Sequence, residues 1–197
     1  MKLSHANSFV TALLLAGSAG VGAAISSFGS ADAQQAIDPS RRQRVMITSA
    51  VAVIQSTAGN TASGVVRFTD VPGGVRIEAE ISGLKPGSKH GFHIHELGDM
   101  TSTDGKSMGG HYNPANTAHA LPGSTRHAGD MGNLVADSDG VAKYSAEMQG
   151  ITVAGMVNPI VGRGVVIHAL PDDGGQPTGN AGARIGYGVI GIAKAGS

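Results

Sequence analysis

Cysteine is absent from all 197 residues of the chain, which excludes a disulfide, a thiolate metal ligand and a cysteine nucleophile. Excess charge is absent too, because 14 basic and 14 acidic residues balance without a block of either sign. This balance argues against nucleic acid or a polybasic membrane contact as a partner. After residue 25 no apolar run is long enough to cross a bilayer, and no segment has amphipathic helix periodicity. Long loops must therefore be held by packing or by metal.

The first 33 residues have the pattern of a secretory signal. A basic start precedes an apolar stretch at 9–25, and Ala-Asp-Ala at 31–33 offers a cleavage site. We therefore expect a signal peptide at 1–33, a flexible leader at 34–44 and one domain at 45–197. The alternative is an uncleaved membrane anchor, which the short, glycine-containing stretch disfavours. The domain would then be exported, to a periplasm or outside the cell, without stable membrane association after cleavage.

The region after the leader is patterned for β-strands. In residues 75–81 apolar and charged residues alternate strictly, as in a half-buried antiparallel strand. The preceding Asp-Val-Pro-Gly-Gly at 70–74 is a hairpin signal. Short strands are predicted at 45–54, 64–69, 75–81, 91–97, 131–136, 141–148, 164–169 and 184–193. Two long loops, 98–130 and 170–183, interrupt this series. The pattern predicts an all-β antiparallel sandwich or flattened barrel.

Six histidines and one aspartate are spaced as ligands for two metal ions. His93 and His95 lie two apart in a predicted strand, so both face the same side. Taken alone this is a weak signal, because a half-exposed strand face has the same spacing. The pattern continues with His111, His119, His127, Asp130 and His168. Imidazole is the commonest metal-binding side chain and suits copper and zinc, so metal chemistry is the leading interpretation.

The segments around these residues form extended motifs. They are GFHIHELGD at 91–99, GHYNP at 110–114, RHAGD at 126–130, VVIH at 165–168 and GNAGARIGYGVI at 179–190. Together they resemble the copper/zinc superoxide dismutases, whose two signatures are similar to the first and last segments, apart from one position in the last. The resemblance covers essentially the whole chain from residue 45. It implies an eight-stranded antiparallel Greek-key flattened barrel (an immunoglobulin-like sandwich) with two long functional loops.

The resemblance also implies a role for each candidate ligand. The implied copper ligands are His93, His95, His111 and His168. The implied zinc ligands are His111, His119, His127 and Asp130. His111 belongs to both sets as a bridging imidazolate, and His90 matches a structural position. Asp172 would link a copper histidine to a zinc histidine, the alternative being a solvated loop acid. Arg184 would lie beside copper, where a guanidinium attracts and orients the superoxide anion.

The implied reaction is dismutation of superoxide to dioxygen and hydrogen peroxide, a protection against oxidative stress outside the cytoplasm. One copper per chain would cycle between redox states, one zinc would be structural, and Arg184 and His111 would be catalytic. A copper-binding or copper-buffering module on the same scaffold, without turnover, is the main alternative. A zinc hydrolase ranks last, because no open zinc position is evident. A homodimer is one expectation, although the disulfide that shapes the dimer surface in many relatives is missing.

Two departures from the family are visible. Family members usually tie the first long loop to the last strand through a disulfide, and Tyr187 stands at the last-strand cysteine position here. We therefore expect the first loop to depend more on the zinc site for its order. The second loop, 170–183, is short and its charges are Asp172 and Asp173. Eukaryotic members carry lysines in a longer loop there, so we expect weaker steering and a shallower fall of rate with salt.

Overall fold

The computed structural model describes residues 46–194, so the predicted signal peptide (1–33) and leader (34–44) lie outside the described residues. Within this range the chain forms nine strands and one 3-10 turn at Lys106–Met108. The strands are β1 Ser49–Ser56, β2 Ser63–Val71, β3 Gly74–Ser82, β4 Lys89–His95, β5 Asp130–Val135, β6 Ala142–Gln149, β7 Gly164–His168, β8 Arg184–Val189 and β9 Gly191–Ile192. The last predicted strand, 184–193, is divided at Ile190 into β8 and β9. Both of these strands pair with β1.

The strands form one antiparallel series in the order β5-β4-β7-β8-β1-β2-β3-β6, with β9 alongside β1. The two end strands of this series, β5 and β6, lie close together: the Tyr144 hydroxyl on β6 donates to the Met131 carbonyl on β5 at 2.8 Å. The series is thus a nearly closed barrel. Connections β3–β4 and β6–β7 each pass two strand positions, as in a Greek key. The predicted eight-stranded antiparallel fold is confirmed.

Alternation along the strands separates the core from the outer surface. On β3 the apolar Val75, Ile77 and Ile81 are fully buried, while Arg76 and Glu80 are exposed. This is the period of two that the sequence predicts for a strand with one face on the core. Between residues 46 and 194 no helix is long and apolar enough to span a membrane.

Strand β4 departs from this alternation in a way that locates the site. From His90 to His95 every residue is buried. Phe92 and Ile94 face the main core, so successive side chains at 93 and 95 point to the opposite, outer face. That outer face is buried because the two long loops cover it. The histidine pair therefore lies between the barrel and its loops.

Candidate metal centre

The strands supply three histidines to the outer face of the barrel. His93 lies opposite Val166 of β7 in the antiparallel register, and His168 is the last residue of β7. His95 ends β4 and forms an isolated bridge with His111 of the first long loop. Two adjacent strands and the incoming loop thus bring four imidazoles together.

Two buried clusters of donor atoms result, and His111 belongs to both. In each cluster the candidate donor atoms all lie within 4.8 Å of one another. The first cluster is His93, His95, His111 and His168. The second is His111, His119, His127 and Asp130. The structure therefore brings all seven predicted ligands together, in the two sets that the resemblance implies.

Hydrogen bonds to the remaining ring nitrogens fix the tautomers of three of the four histidines in the first cluster. The Nδ1–H groups of His95 and His168 donate to the carbonyls of Gly109 (3.0 Å) and Gly182 (3.1 Å). His93 uses its other nitrogen, since Nε2–H donates to the Asp172 carboxylate at 2.9 Å. Each ring then keeps one nitrogen with a free lone pair, which is the form that binds metal.

Unpartnered buried atoms identify where those lone pairs point. Within the described range, the buried side-chain nitrogen and oxygen atoms that lack a hydrogen bond are ring nitrogens of five ligands. They are Nδ1 of His93, Nε2 of His95, Nε2 of His111, Nδ1 of His119 and Nε2 of His168. Buried polar atoms are otherwise nearly always paired. A metal ion in each cluster would remove this deficit, so the donor set fits two ions.

Burial keeps His93, His95 and His168 neutral and ready to coordinate. It lowers the pKa of His93 to about 4, against the raising effect of the Asp172 hydrogen bond. Burial also lowers the pKa of His168 to about 3, and His93 adds to the effect. The pKa of His95 lies well below its usual range because of burial and, next, the positive charge of Arg184. Protons therefore compete weakly for these rings at neutral pH.

Asp130 brings a negative charge to the second cluster. Its Oδ1 lies 2.8 Å from Nδ1 of His111 and 3.2 Å from Nδ1 of His127, and its Oδ2 lies 2.9 Å from Nδ1 of His119. Burial raises the pKa of Asp130, but the hydrogen bond with His111 and the electrostatic interactions with His111, His119 and His127 outweigh it. The pKa is therefore lowered and the carboxylate stays ionised. Three imidazoles and one carboxylate make a closed tetrahedral set suited to zinc.

Asp172 is a buried bridge between the clusters and not a solvated loop acid. Its Oδ2 accepts Nε2–H of His93 and its Oδ1 accepts Nε2–H of His119, both at 2.9 Å. Burial raises the pKa of Asp172, but these two hydrogen bonds and one from the Gly174 backbone hold it below its usual range. Gly179 packs so closely that a Cβ there would collide with the Asp172 carboxylate.

Arg184 lies at the edge of the first cluster, held by the first loop. Its Nη1 donates to the carbonyl of Gly105 at 2.5 Å and its Nη2 to that of Gly109 at 2.6 Å. The guanidinium borders an open cavity of about 360 Å³ that Asp104 and Lys106 also line. Burial lowers the pKa of Arg184, and the Asp104 carboxylate opposes that shift. A fixed cation thus faces solvent beside four imidazoles.

Comparison with known proteins agrees with this geometry. Residues 62–190 match the family model described as copper/zinc superoxide dismutase (SODC). A "Superoxide dismutase [Cu-Zn]" from Paramecium bursaria Chlorella virus 1 is 49% identical over 155 residues, which cover 74% of this chain and 79% of the relative. The chain belongs to the copper/zinc superoxide dismutase family. The family membership that the motifs predicted is therefore confirmed. The family's cofactors are one copper and one zinc.

Several residues that support this dismutase-type centre have no signal of their own in the sequence. Asn133 exchanges two hydrogen bonds with the Asp172 backbone, 2.7 and 2.8 Å long. Gln176 does the same with the backbone of His119. Nδ1–H of His90 donates to the His168 carbonyl at 2.7 Å, in keeping with its predicted structural role. These contacts join segments far apart in sequence, so spacing could not reveal them.

Proposed function

We propose that the chain dismutates superoxide to dioxygen and hydrogen peroxide, with copper in the four-histidine cluster and zinc in the cluster that contains Asp130. The observation that best supports this function is that one buried imidazole, His111, belongs to both clusters and presents a nitrogen to each. A module that only stores copper needs neither this shared ligand nor a cation fixed beside the copper ligands. The reaction agrees with membership of the family.

The donor chemistry supports this allocation of ions. Four imidazoles suit the tetragonal preference of Cu(II), and three imidazoles with a carboxylate suit tetrahedral zinc. When bound, copper supplies one-electron oxidation and reduction, which zinc cannot supply. The ligands from β4 and β7 would hold copper, and the loop ligands with Asp130 would hold zinc.

Two side chains would act on the substrate directly. Arg184, at the cavity edge, attracts the small anion and donates hydrogen bonds to it. His111 would hold a proton at Nε2 only while that nitrogen is not bound to copper, and would release the proton to bind copper again; Nε2 faces the copper cluster and has no protein partner. A proton stored there is within the site where peroxide forms, so it need not come from bulk solvent.

Metal loading followed by a superoxide assay tests the function. The chain loaded with one copper and one zinc should turn over superoxide, and His95→Ala should lose copper and activity. Arg184→Ala should keep both metals and lose about tenfold or more in kcat/KM, as expected for a lost charge–anion contact. Arg76→Ala is the matched control, because Arg76 pairs with Glu147 on the exposed barrel surface. Full metal content without turnover would instead support the copper-buffering alternative.

A homodimer is the proposed assembly. Exposed apolar side chains lie on the neighbouring strands β1 and β8, namely Val53 and Val189. Leu97 is also exposed, and the following Gly98 packs against Val189. Contiguous apolar surface of this kind is typical of subunit interfaces. Val53→Glu should halve the mass measured by light scattering, while Val135→Glu, at an exposed valine on β5, should not. A wild-type monomer at micromolar concentration would contradict the proposal.

Export completes the proposed function, with the domain acting in a periplasm or outside the cell. It rests on the signal pattern of residues 1–33, and the mature domain would have no stable membrane association. Cell fractionation and N-terminal sequencing test it. A mature protein that begins near residue 34 in the extracytoplasmic fraction is expected, and a full-length cytoplasmic protein would contradict export.

A further inference from the structure

A second apolar cluster lies outside the main core, under the first long loop. It consists of the buried residues Met108, Val166 and Tyr187, with Met100 packed against it. Val166 and Tyr187 are directly paired across β7 and β8, on the outer face of the barrel. Met108 comes from the loop and has no exposed surface. The loop is therefore anchored to the barrel by side-chain packing just before His111.

The backbone around Met108 continues this anchorage. The Leu97 N–H donates to the Met108 carbonyl (3.1 Å), and the Met108 N–H donates to the Gly105 carbonyl (3.2 Å). Gly105 has a φ of 73° and lies against the Tyr187 ring, since a Cβ built on it would be 3.6 Å from Tyr187 Cγ. A Cβ at that distance would make an ordinary van der Waals contact, so it is the left-handed backbone that favours glycine here.

The anchored segment carries the carbonyls that hold the functional side chains. Gly105 and Gly109 accept the two hydrogen bonds of Arg184. The Gly109 carbonyl also accepts Nδ1–H of His95. If this segment shifted, the guanidinium would lose both acceptors and His95 would lose the partner that fixes its tautomer.

We propose that Tyr187 and Met108 are positioning residues, which pack the 98–110 segment onto the barrel and thereby hold Arg184 in place. Family members usually join this loop to the last strand by a disulfide, and Tyr187 stands at the last-strand cysteine position. Packing of the ring on Met108 and Gly105 takes over that anchorage. The later segment, 111–129, is held by its ligands. The consequence for Arg184 rests on the proposed function, whereas the anchorage itself does not.

Hydrogen exchange of the metal-free protein tests the anchorage without any need for turnover. Tyr187→Ala should speed exchange of the Leu97 and Met108 amides by about tenfold or more, as expected when a buried aromatic contact is lost. Tyr187→Phe retains the ring and should stay within about twofold of wild type. Phe68→Leu, in the main core, is the control for a general loss of stability and should not single out these two amides. Equal exchange in Tyr187→Ala and Tyr187→Phe would overturn the proposal.

The effect on Arg184 is tested with a loop variant that leaves the barrel strands unchanged. Met108→Ala, loaded with both metals, should keep its copper and zinc but bind azide at copper about tenfold more weakly in a spectroscopic titration. Met108→Leu should restore the affinity. Wild-type azide binding by Met108→Ala would overturn the positioning role. Absence of turnover in every form, with the exchange results as expected, would refute the proposed function and leave the anchorage standing.

Discussion

Replacement of Asp172 by asparagine should weaken metal binding without a change in side-chain volume. The carboxylate accepts Nε2–H of His93 on one oxygen, and Nε2–H of His119 together with the Gly174 N–H on the other. An amide has only one acceptor oxygen, and its NH₂ group cannot accept a ring N–H. One imidazole must then lose its partner or move its proton to Nδ1, the nitrogen that faces the metal.

The size of this effect follows from the number of contacts removed. Loss of such a partner typically lowers metal affinity by about 10- to 100-fold, or about 1.4 to 2.7 kcal/mol. At a fixed chelator concentration zinc should leave first, because Cu(II) binds a given nitrogen and oxygen site more tightly than Zn(II). Chelator titration followed by elemental analysis measures both ions.

Asp173→Asn is the matched control for Asp172→Asn. Asp173 is the next residue and carries the same charge, but it is exposed and its carboxylate is bonded to the Gly175 backbone and Asn180. Its replacement removes one negative charge from the same loop without a change at any histidine. If both variants hold zinc equally well, the assignment of Asp172 as the link between the clusters is wrong.

Two further predictions concern pH and salt. In the metal-free protein the pKa of His93 is lowered from 6.5 to about 4. As the pH falls, the unfolded chain therefore binds this proton before the folded protein does. The free energy of unfolding should decrease by about 3 kcal/mol between pH 6.5 and pH 4. Urea unfolding measures this, and a flat profile would contradict it. At the cavity beside Arg184, Lys106 Nζ lies 3.0 Å from Asp104 Oδ2, which offsets the lysine charge. Asp104→Asn should therefore raise kcat/KM at low ionic strength and steepen its decline with salt, and Lys106→Ala should not.

The strands were predictable because burial of one face of a strand requires apolar and polar residues to alternate in the sequence. Residues 75–81 alternate strictly, and β3 has the expected alternation of core and surface. The same periodicity placed His93 and His95 on one side of a strand. Their burial was not predictable in this way, since it depends on loops that fold over the outer face of β4 and have no periodicity of their own.

The loop residues show why the rest of the site needed more than spacing. His119 and His127 lie in irregular backbone, where distance along the chain does not determine distance in space, so family motifs had to assign them. Tyr187 could be recognised from the sequence only as a missing cysteine. Its packing on Met108 appears once the loop is folded, because the two residues are 79 positions apart. That the loop depends more on the zinc site stays a prediction, and the apolar anchor is a second source of order that the sequence did not reveal.

The two clusters also differ in how far the barrel fixes their ligands in advance. Three members of the copper cluster lie in or at the end of β4 and β7, whereas His119 and His127 lie in the loop. Zinc binding should therefore convert more of its binding free energy into loop order than copper binding does. We expect zinc alone to slow amide exchange across residues 113–127 by more than tenfold, and copper alone to slow it by less than about threefold. Exchange measured on singly loaded protein checks this, with ion occupancy confirmed by elemental analysis. Equal protection by copper alone would show that the copper cluster is not preformed by its strands and that the loop closes over either ion.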